Sequence, residues 1–436
     1  MQTLERLQNG ELKGALSLKL SEQLTYFPEE IFELADTLEM LDLSGNRLTE
    51  LPVDFGRLQK LKIFFCSDNL FTVLPEVLAD CPLLDIVGFK ANVIETVPAR
   101  ALNPNLRWLI LTNNKIAHLP AQIGECYRLQ KLMLAGNRLT DLPAELSQCR
   151  SLSLLRISAN RLSQLPQWLL AMPKLSWLAF SGNLFSKVPG LPQLSQIGWD
   201  ELQINNLLGQ GASGIIYKAS RHLNGESQQV AVKVFKGDVT SDGLPGDELN
   251  AYIAAGSHPG LVPLVAQIAG HPEGKQALVM ELIPEGFFNL GLTPSLDSCT
   301  RDIFRADLSI TPDQALNIAR TIASLAAQLH SKGIMHADLY AHNTLIDDTG
   351  NTLFGDFGAA CFYDIANEPL AAALQRLEVR AYGYLLDDLL SLSIHANAHD
   401  ILTTLQRLRD QCLAPDVLTR PDFQYINKEL GKRSNI

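Results

Sequence analysis

The 436-residue sequence predicts two dissimilar parts in series, an α/β solenoid of short repeated strands and then an α+β domain. Three observations lead there. A leucine pattern recurs every 23 residues through the first half, it stops after Pro189, and the second half carries glycine, lysine, aspartate and asparagine positions that do not repeat. The length alone argues for more than one core, since domains commonly run to roughly 100 to 200 residues.

The repeat unit is set out by Leu38, Leu41, Leu43, Asn46 and Leu48, an L-x-x-L-x-L-x-x-N-x-L pattern that starts again at Leu61, Leu84, Leu106, Leu129, Leu152 and Leu175, with one interval of 22. A Leu-Pro or Val-Pro pair follows each unit, at Pro52, Pro75, Pro98, Pro120, Pro143, Pro166 and Pro189. Alternation sends Leu41, Leu43 and Leu48 inward. Asn46 and its equivalents at 69, 92, 114, 137, 160 and 183 can bond turn backbones that would otherwise be buried unsatisfied. A ladder of amides beside short parallel strands follows, each turn touching only its neighbours. A degenerate first unit, Leu16 to Pro28, lacks the Asn and is expected to help cap the stack. The pattern resembles the leucine-rich repeats over about residues 15 to 190, which implies a repeat domain spanning 1–190 with about eight repeats.

Strand positions expected to face solvent decide what such a horseshoe could hold. The third position runs Met40, Ile63, Ile86, Trp108, Lys131, Leu154, Trp177, and the fifth runs Asp42, Phe65, Gly88, Ile110, Met133, Arg156, Ala179. Ile63, Phe65, Ile86, Trp108 and Ile110 make an apolar stripe, a feature that marks protein contacts. Two occupants remain open: a separate protein partner or substrate, or another part of the same chain.

Residues 190–196 drop the repeat pattern and read as a short linker or final cap. Strand-rich text from Leu202 to Ala219 then contains Leu208-Gly209-Gln210-Gly211-Ala212-Ser213-Gly214-Ile215-Ile216. This G-x-G-x-x-G would suit a dinucleotide turn only if a helix followed, whereas Ile215 to Lys218 reads as a returning strand. A glycine hairpin over phosphates fits better. Val230-Ala231-Val232-Lys233 comes next, and Thr311-Pro312-Asp313 starts a helix running to about Ser331, with Thr as cap. His336-Ala337-Asp338-Leu339-Tyr340-Ala341-His342-Asn343 follows it, and thirteen residues after Asn343 stands Asp356-Phe357-Gly358.

Together these segments resemble the protein kinases: the glycine loop, the V-A-I-K strand, the catalytic loop and the D-F-G motif, in order. The resemblance implies a two-lobed kinase-like domain over 200–436 that uses ATP and Mg²⁺. It implies that Asp338 accepts the substrate's hydroxyl proton, that Asn343 and Asp356 hold the metal, and that Lys233 reaches the α- and β-phosphates with Glu248, rather than Asp247, as its carboxylate partner. Leu208, Gly209, Gly211, Ser213 and Gly214 would cover the nucleotide. The adenine edge would meet the backbone of Glu281 and Ile283, between Ile216 and Ala231 above and Leu345 below. Magnesium takes hard oxygen ligands and keeps water, so one carboxylate and one amide suffice. His336 is expected to act as a core histidine supporting the loop.

The chain departs from the kinase pattern in several places. Ala337 stands where an arginine is usual, and from Ala359 to Leu377 Tyr363 is the only hydroxyl, so phosphorylation of this segment is not the expected switch. Tyr340 replaces the lysine of Ser/Thr kinases, and His342 lies where tyrosine kinases carry Arg. No A-P-E follows D-F-G, only Asn367-Glu368-Pro369, and the next helix is expected at Glu378, a Glu in place of the usual Asp. Arg420 keeps a late structural arginine, expected to pair with Glu368. The shortened segment suggests that the repeats take over substrate recognition.

Residues 1–190 hold 19 Lys+Arg and 19 Asp+Glu, so the formal charge of −11 belongs to the second half, which argues against non-specific nucleic-acid binding. The seven cysteines form no C-x-x-C pair, and Cys66, Cys81, Cys126 and Cys149 sit at packing positions of the repeats. With no basic start before an apolar run and no long apolar segment, a soluble cytoplasmic protein without a membrane span is expected. The resulting expectation is an ATP- and Mg²⁺-dependent protein kinase, Ser/Thr favoured, that recruits partners through its repeats and resembles bacterial fusions of this kind. The alternatives are a nucleotide-binding pseudokinase scaffold and a small-molecule kinase.

Overall fold

The computed structural model describes residues 2–191, 193–211, 213–223, 226–236, 239–240, 242–393 and 399–432. These divide into two units, one of residues 1–175 and 183–185, the other of residues 176–182 and 186–436.

The first unit is the repeat array. A short helix α1 (Leu4–Gln8), capped by the Thr3 hydroxyl, precedes strands β1 (Ser17–Lys19), β2 (Met40–Asp42), β3 (Ile63–Phe65), β4 (Ile86–Gly88), β5 (Trp108–Ile110), β6 (Lys131–Met133) and β7 (Leu154–Arg156). They pair in parallel in strict chain order, with equivalent repeat positions in register, such as Leu41 with Phe64 and Val87 with Leu109. The degenerate first unit thus supplies a full strand. On the opposite side of each turn lies a 3-10 segment, except at Gln167–Leu170, which forms α2.

Leucines and the asparagine ladder hold the array. Leu41, Leu43, Leu48, Leu109 and Leu132 are fully buried. Asn114 is typical of the ladder: its amide nitrogen donates to the carbonyls of Phe89 (2.9 Å) and Leu111 (3.0 Å), and its oxygen accepts from the Ile94 amide (3.0 Å). Asn46 and Asn137 repeat this arrangement. All seven cysteines are buried, and burial pushes the Cys81 and Cys126 thiols up to about 12.

The apolar stripe corrects the expectation of solvent-facing positions. Ile86 is fully buried because its register neighbours Ile63 and Trp108 flank it along the sheet. At Gly88 the missing side chain leaves room that the Phe65 ring occupies, where a Cβ would stand 2.6 Å from that ring. Ile63, Phe65, Trp108 and Ile110 remain half-buried. Leu154, Arg156, Trp177 and Ala179 are buried, the last two in β8 (Trp177–Ala179), which belongs to the second unit.

In the second unit, β9 (Gln196–Gly198), β10 (Leu202–Gln210), β11 (Gly214–Leu223), β12 (Glu226–Phe235), β13 (Leu264–Ala269) and β14 (Ala277–Glu281) form a sheet ordered β10-β11-β12-β14-β13-β9. The linker expected over 190–196 therefore ends inside the sheet, with β9 parallel to β13. Alternating Val230, Val232 and Val234 build one face of the core with Ala219, Ala266 and Val279. Helix α3 (Pro245–Ala255) accompanies the sheet.

Beyond Glu281 come β15 (Phe288–Asn289), α4 (Pro312–Ser331), β16 (Ile334–Met335), β17 (Thr344–Ile346), β18 (Thr352–Phe354), β19 (Cys361–Phe362), α5 (Glu368–Leu392), α6 (His399–Cys412) and α7 (Phe423–Gly431). Thr311 caps α4, accepting from the Gln314 amide at 3.2 Å while Gln314 returns a bond to the Thr311 amide. The next helix after D-F-G begins at Glu368, not Glu378. Asn367 caps it, Pro369 suits its first turn, and Leu370 to Leu374 continue the helical text. Glu368 is exposed, and among the described residues it makes no ion pair with Arg420. Arg420 donates instead to the carbonyls of Ala414 and Arg376.

Candidate active site

Lys233 reaches the site because β12 alternates, pairing it with Ile216 of β11 and Leu278 of β14. Its ammonium contacts the Glu248 carboxylate, projecting from the first turn of α3, and lies 3.7 Å from Asp356. Burial alone would lower the lysine's pKa, but Asp356 and Glu248 outweigh it and hold the value above the ordinary one. Burial also pushes the Glu248 carboxyl up to about 7 despite the lysine beside it. Asp247, the alternative partner, makes no ion pair with Lys233 among the described residues.

Asp356 has a left-handed backbone, φ 59°, and caps the turn Phe357–Ala359 by accepting from the Gly358 amide at 3.2 Å. Partial desolvation beside the cavity opposes its charge, yet Lys233 and that amide keep its pKa below the usual range. Phe357 is fully buried, 4.6 Å from the Tyr252 ring of α3 and 5.0 Å from His336. This packing ties the aspartate's turn to the loop after β16. His336 is itself buried, with its ring nitrogen 3.2 Å from the Gly355 carbonyl and its pKa lowered by that burial.

Ala337 sits in the same left-handed region, φ 63°, where a non-glycine residue needs support from its surroundings. Glu378 of α5 provides it, accepting from the amides of His336 (3.3 Å) and Ala337 (2.6 Å) and standing 2.8 Å from His330. Burial raises this carboxyl's pKa, but the His330 contact and the backbone donors prevail and hold it below its ordinary value. Tyr363, the lone hydroxyl of the following segment, is engaged too, 2.7 Å from the His330 ring.

Asn343 donates its amide hydrogens to the Asp338 carboxylate and carbonyl, both at 2.9 Å. Its oxygen accepts no bond among the described residues. His342 is fixed by Asp302, which accepts from its backbone amide at 2.9 Å and lies 2.7 Å from its ring. Burial would lower the His342 pKa, but Asp302 raises it above the ordinary value.

These groups meet around a cavity of 460 Å³ between the sheet and the helical part of the second unit. Its lining includes Leu208, Gly209, Ile216, Ala231, Lys233, Glu248, Glu281, Ile283, Asn343, Leu345 and Asp356, all expected from the sequence. Gly211, Ser213, Gly214 and Asp338 do not line it. Gly211 is exposed on the hairpin, Ser213 and Gly214 are buried, and Asp338 joins the cavity's rim through Asn343. Met280, Phe287, Asn289 and His342 line it without having been singled out as contacts. For His342, its place directly before Asn343 was the available signal. Among the described residues no cluster of three or more His, Cys, Asp or Glu could hold a metal by itself. Asn343 Oδ1 and Asp356 nevertheless suit a magnesium ion that takes its remaining oxygens from phosphates and water.

The protein kinase domain family matches residues 202–401, and leucine-rich repeat families match residues 37–58, 104–162 and 127–185. The chain is similar to the mouse leucine-rich repeat and calponin homology domain-containing protein 1, with 32% identity over 133 residues, covering 30% of this chain and 18% of that one. It is also similar to L-type lectin-domain containing receptor kinase I.7 of Arabidopsis thaliana, 30% identical over 198 residues (43% of this chain, 26% of that one). A third relative is the probable serine/threonine-protein kinase PknB of Lactococcus lactis, 27% identical over 171 residues (38% and 25%). The chain spans less than a third of the length of each of these curated relatives. It is built from leucine-rich repeats followed by a protein kinase domain.

Proposed function

We propose that this protein is an ATP- and Mg²⁺-dependent protein kinase, acting on Ser or Thr of a partner gathered by its repeats, a fusion of the bacterial kind that its compact catalytic loop resembles. The observation that carries this reading is the convergence of Lys233, Glu248, Asn343 and Asp356 on one cavity, with Asp338 held at its rim. The apolar residues Leu208, Ile216, Ala231 and Leu345 would enclose the adenine, and the backbone at Glu281 and Ile283 would read its edge. Lys233 presents its ammonium to the α- and β-phosphates, and Glu248 keeps that ammonium aimed. Asn343 Oδ1 and the Asp356 carboxylate would hold magnesium, which when bound neutralises phosphate charge. Asp338 accepts the proton of the attacking hydroxyl, its orientation set by the Asn343 amide.

The repeats support partner binding. Ile63, Phe65, Trp108 and Ile110 are each half-buried and leave apolar surface along these strands. A protein segment laid across these strands would cover the stripe. The scattered buried cysteines, with no C-x-x-C pair, support a cytoplasmic setting, and among the described residues no helix is long and apolar enough to cross a membrane.

The test is transfer of labelled phosphate from ATP with Mg²⁺ to generic protein substrates by the full chain and by Asp338→Asn. Label from wild type only, on Ser or Thr, is the expected result. Nucleotide-dependent stabilisation of both proteins without transfer would replace this reading with a pseudokinase scaffold.

A further inference from the structure

Trp177 occupies the third strand position of the last repeat in the sequence, yet β8 clusters with the kinase domain. Its side chain is 1% exposed. The indole N–H donates to the carbonyl of Leu339, the residue directly after Asp338, at 3.0 Å. Its ring stacks on Tyr340, with centroids 4.3 Å apart and planes 6° from parallel. Tyr384 of α5 lies near-parallel to the same indole at 5.4 Å, and Arg301 sits over the Tyr384 ring at 4.4 Å. The same stretch makes a second attachment, since the Phe180 amide donates to the Cys361 sulfur at 3.0 Å.

The catalytic loop needs such support. It carries a left-handed alanine at 337, and Leu339 is a buried residue whose carbonyl requires a donor. Glu378 anchors the loop before Asp338 and Asp302 anchors it at His342. Between those anchors Trp177 is the side chain that donates to the Leu339 carbonyl. Tyr340 then acquires a purpose: in the place where a lysine was expected it presents a flat ring to the indole.

We propose that Trp177 is a positioning residue for phosphoryl transfer, holding the loop at Leu339 and Tyr340 so that Asp338 keeps its reacting geometry. The strand that closes the repeat pattern is thereby a working part of the kinase domain. This rests on the kinase reading for its kinetic consequence but not for its structural one.

The test uses the full chain with Trp177→Phe, which keeps a stacking ring and removes the donor, and Trp177→Ala, which removes both. Amide hydrogen exchange over residues 336–343 and the kcat and KM for ATP are measured for each. Small displacements of catalytic groups cost up to about 100-fold in rate, so Trp177→Ala is expected to lower kcat by about that factor while the KM for ATP stays within about twofold. Trp177→Phe should lose roughly three- to tenfold, the worth of one hydrogen bond. Exchange should quicken over 336–343 and not over α4. The proposal is overturned if Trp177→Phe matches wild type in both kcat and loop exchange, or if kcat falls only in proportion to the fraction of unfolded chain. If wild type transfers no phosphate, the kinase reading fails on its own and loop exchange alone decides the role of Trp177.

Discussion

Asn114 and Asn343 are the same side chain put to opposite uses. In the repeats, Asn114 bonds backbone at both ends of its amide and is buried. In the kinase domain, Asn343 gives its nitrogen to Asp338 and leaves its oxygen open to the cavity. The first arrangement recurs along the array, so its value is structural and shared. The second occurs once and keeps an acceptor in reserve for a ligand, so its value is chemical. Most polar atoms that a fold buries are hydrogen-bonded, so an acceptor left open beside a cavity is a candidate to bind a ligand.

The sharpest way to break this contrast is at Lys233. Lys233→Met is expected to lower phosphoryl transfer by about 10²- to 10³-fold, the usual cost of removing one preorganised charge-stabilising group. Kinetics on the full chain, with circular dichroism as the fold control, would check it. A loss of repeat structure in the same variant would show that the two units are not chemically separate.

Within the repeats, Asn114→Ala and Asn137→Ala should each destabilise the array by about 2 to 3 kcal/mol, because both strand buried backbone groups. Urea unfolding should find the two costs alike. Unequal costs would mean that position in the stack, rather than the shared bonding, sets stability.

Glu378 tests the kinase domain's own architecture. Its folded pKa lies below the ordinary 4.5, so its stabilisation is complete above pH 4.5 and is lost as pH falls through the folded value. The unfolding midpoints of wild type and Glu378→Gln should therefore differ at pH 6 and converge as the pH falls below 4.5. A gap that persists at low pH would place the effect in packing rather than charge. The smallest effect is expected at the rim of the repeats, where the exposed Arg100–Asp80 pair at 3.0 Å should contribute less than about 1 kcal/mol. A double-mutant cycle would measure it.

Much of the candidate site was legible because its residues lie in short ordered segments. Gly209, Val230 to Lys233, Asp338, Asn343 and Asp356 could be placed from local text, and the choice of Glu248 over Asp247 agrees with the contact to Lys233. The start of α5 was misplaced by ten residues because the resemblance at Glu378 outweighed a local signal, the Asn367 cap and Pro369, that was present in the text. Ile86 was misjudged for another reason. Alternation assigns a residue to a face of the sheet, but whether that face is covered depends on how large the neighbouring side chains are.

From the chain alone came the period of the repeats, the asparagine ladder, the hairpin at Gly209 to Gly214 and the Thr311 cap of α4. Each depends on residues close in sequence or related by a fixed spacing, where local geometry is decided before the chain folds. Tertiary structure alone decided that the Trp177 indole meets Leu339, that Glu378 closes on the amide of Ala337, and that Arg420 turns to backbone carbonyls. Those contacts join segments tens to more than a hundred residues apart or depend on what the surrounding packing leaves open. No local preference of the chain specifies which buried acceptor will meet which distant donor.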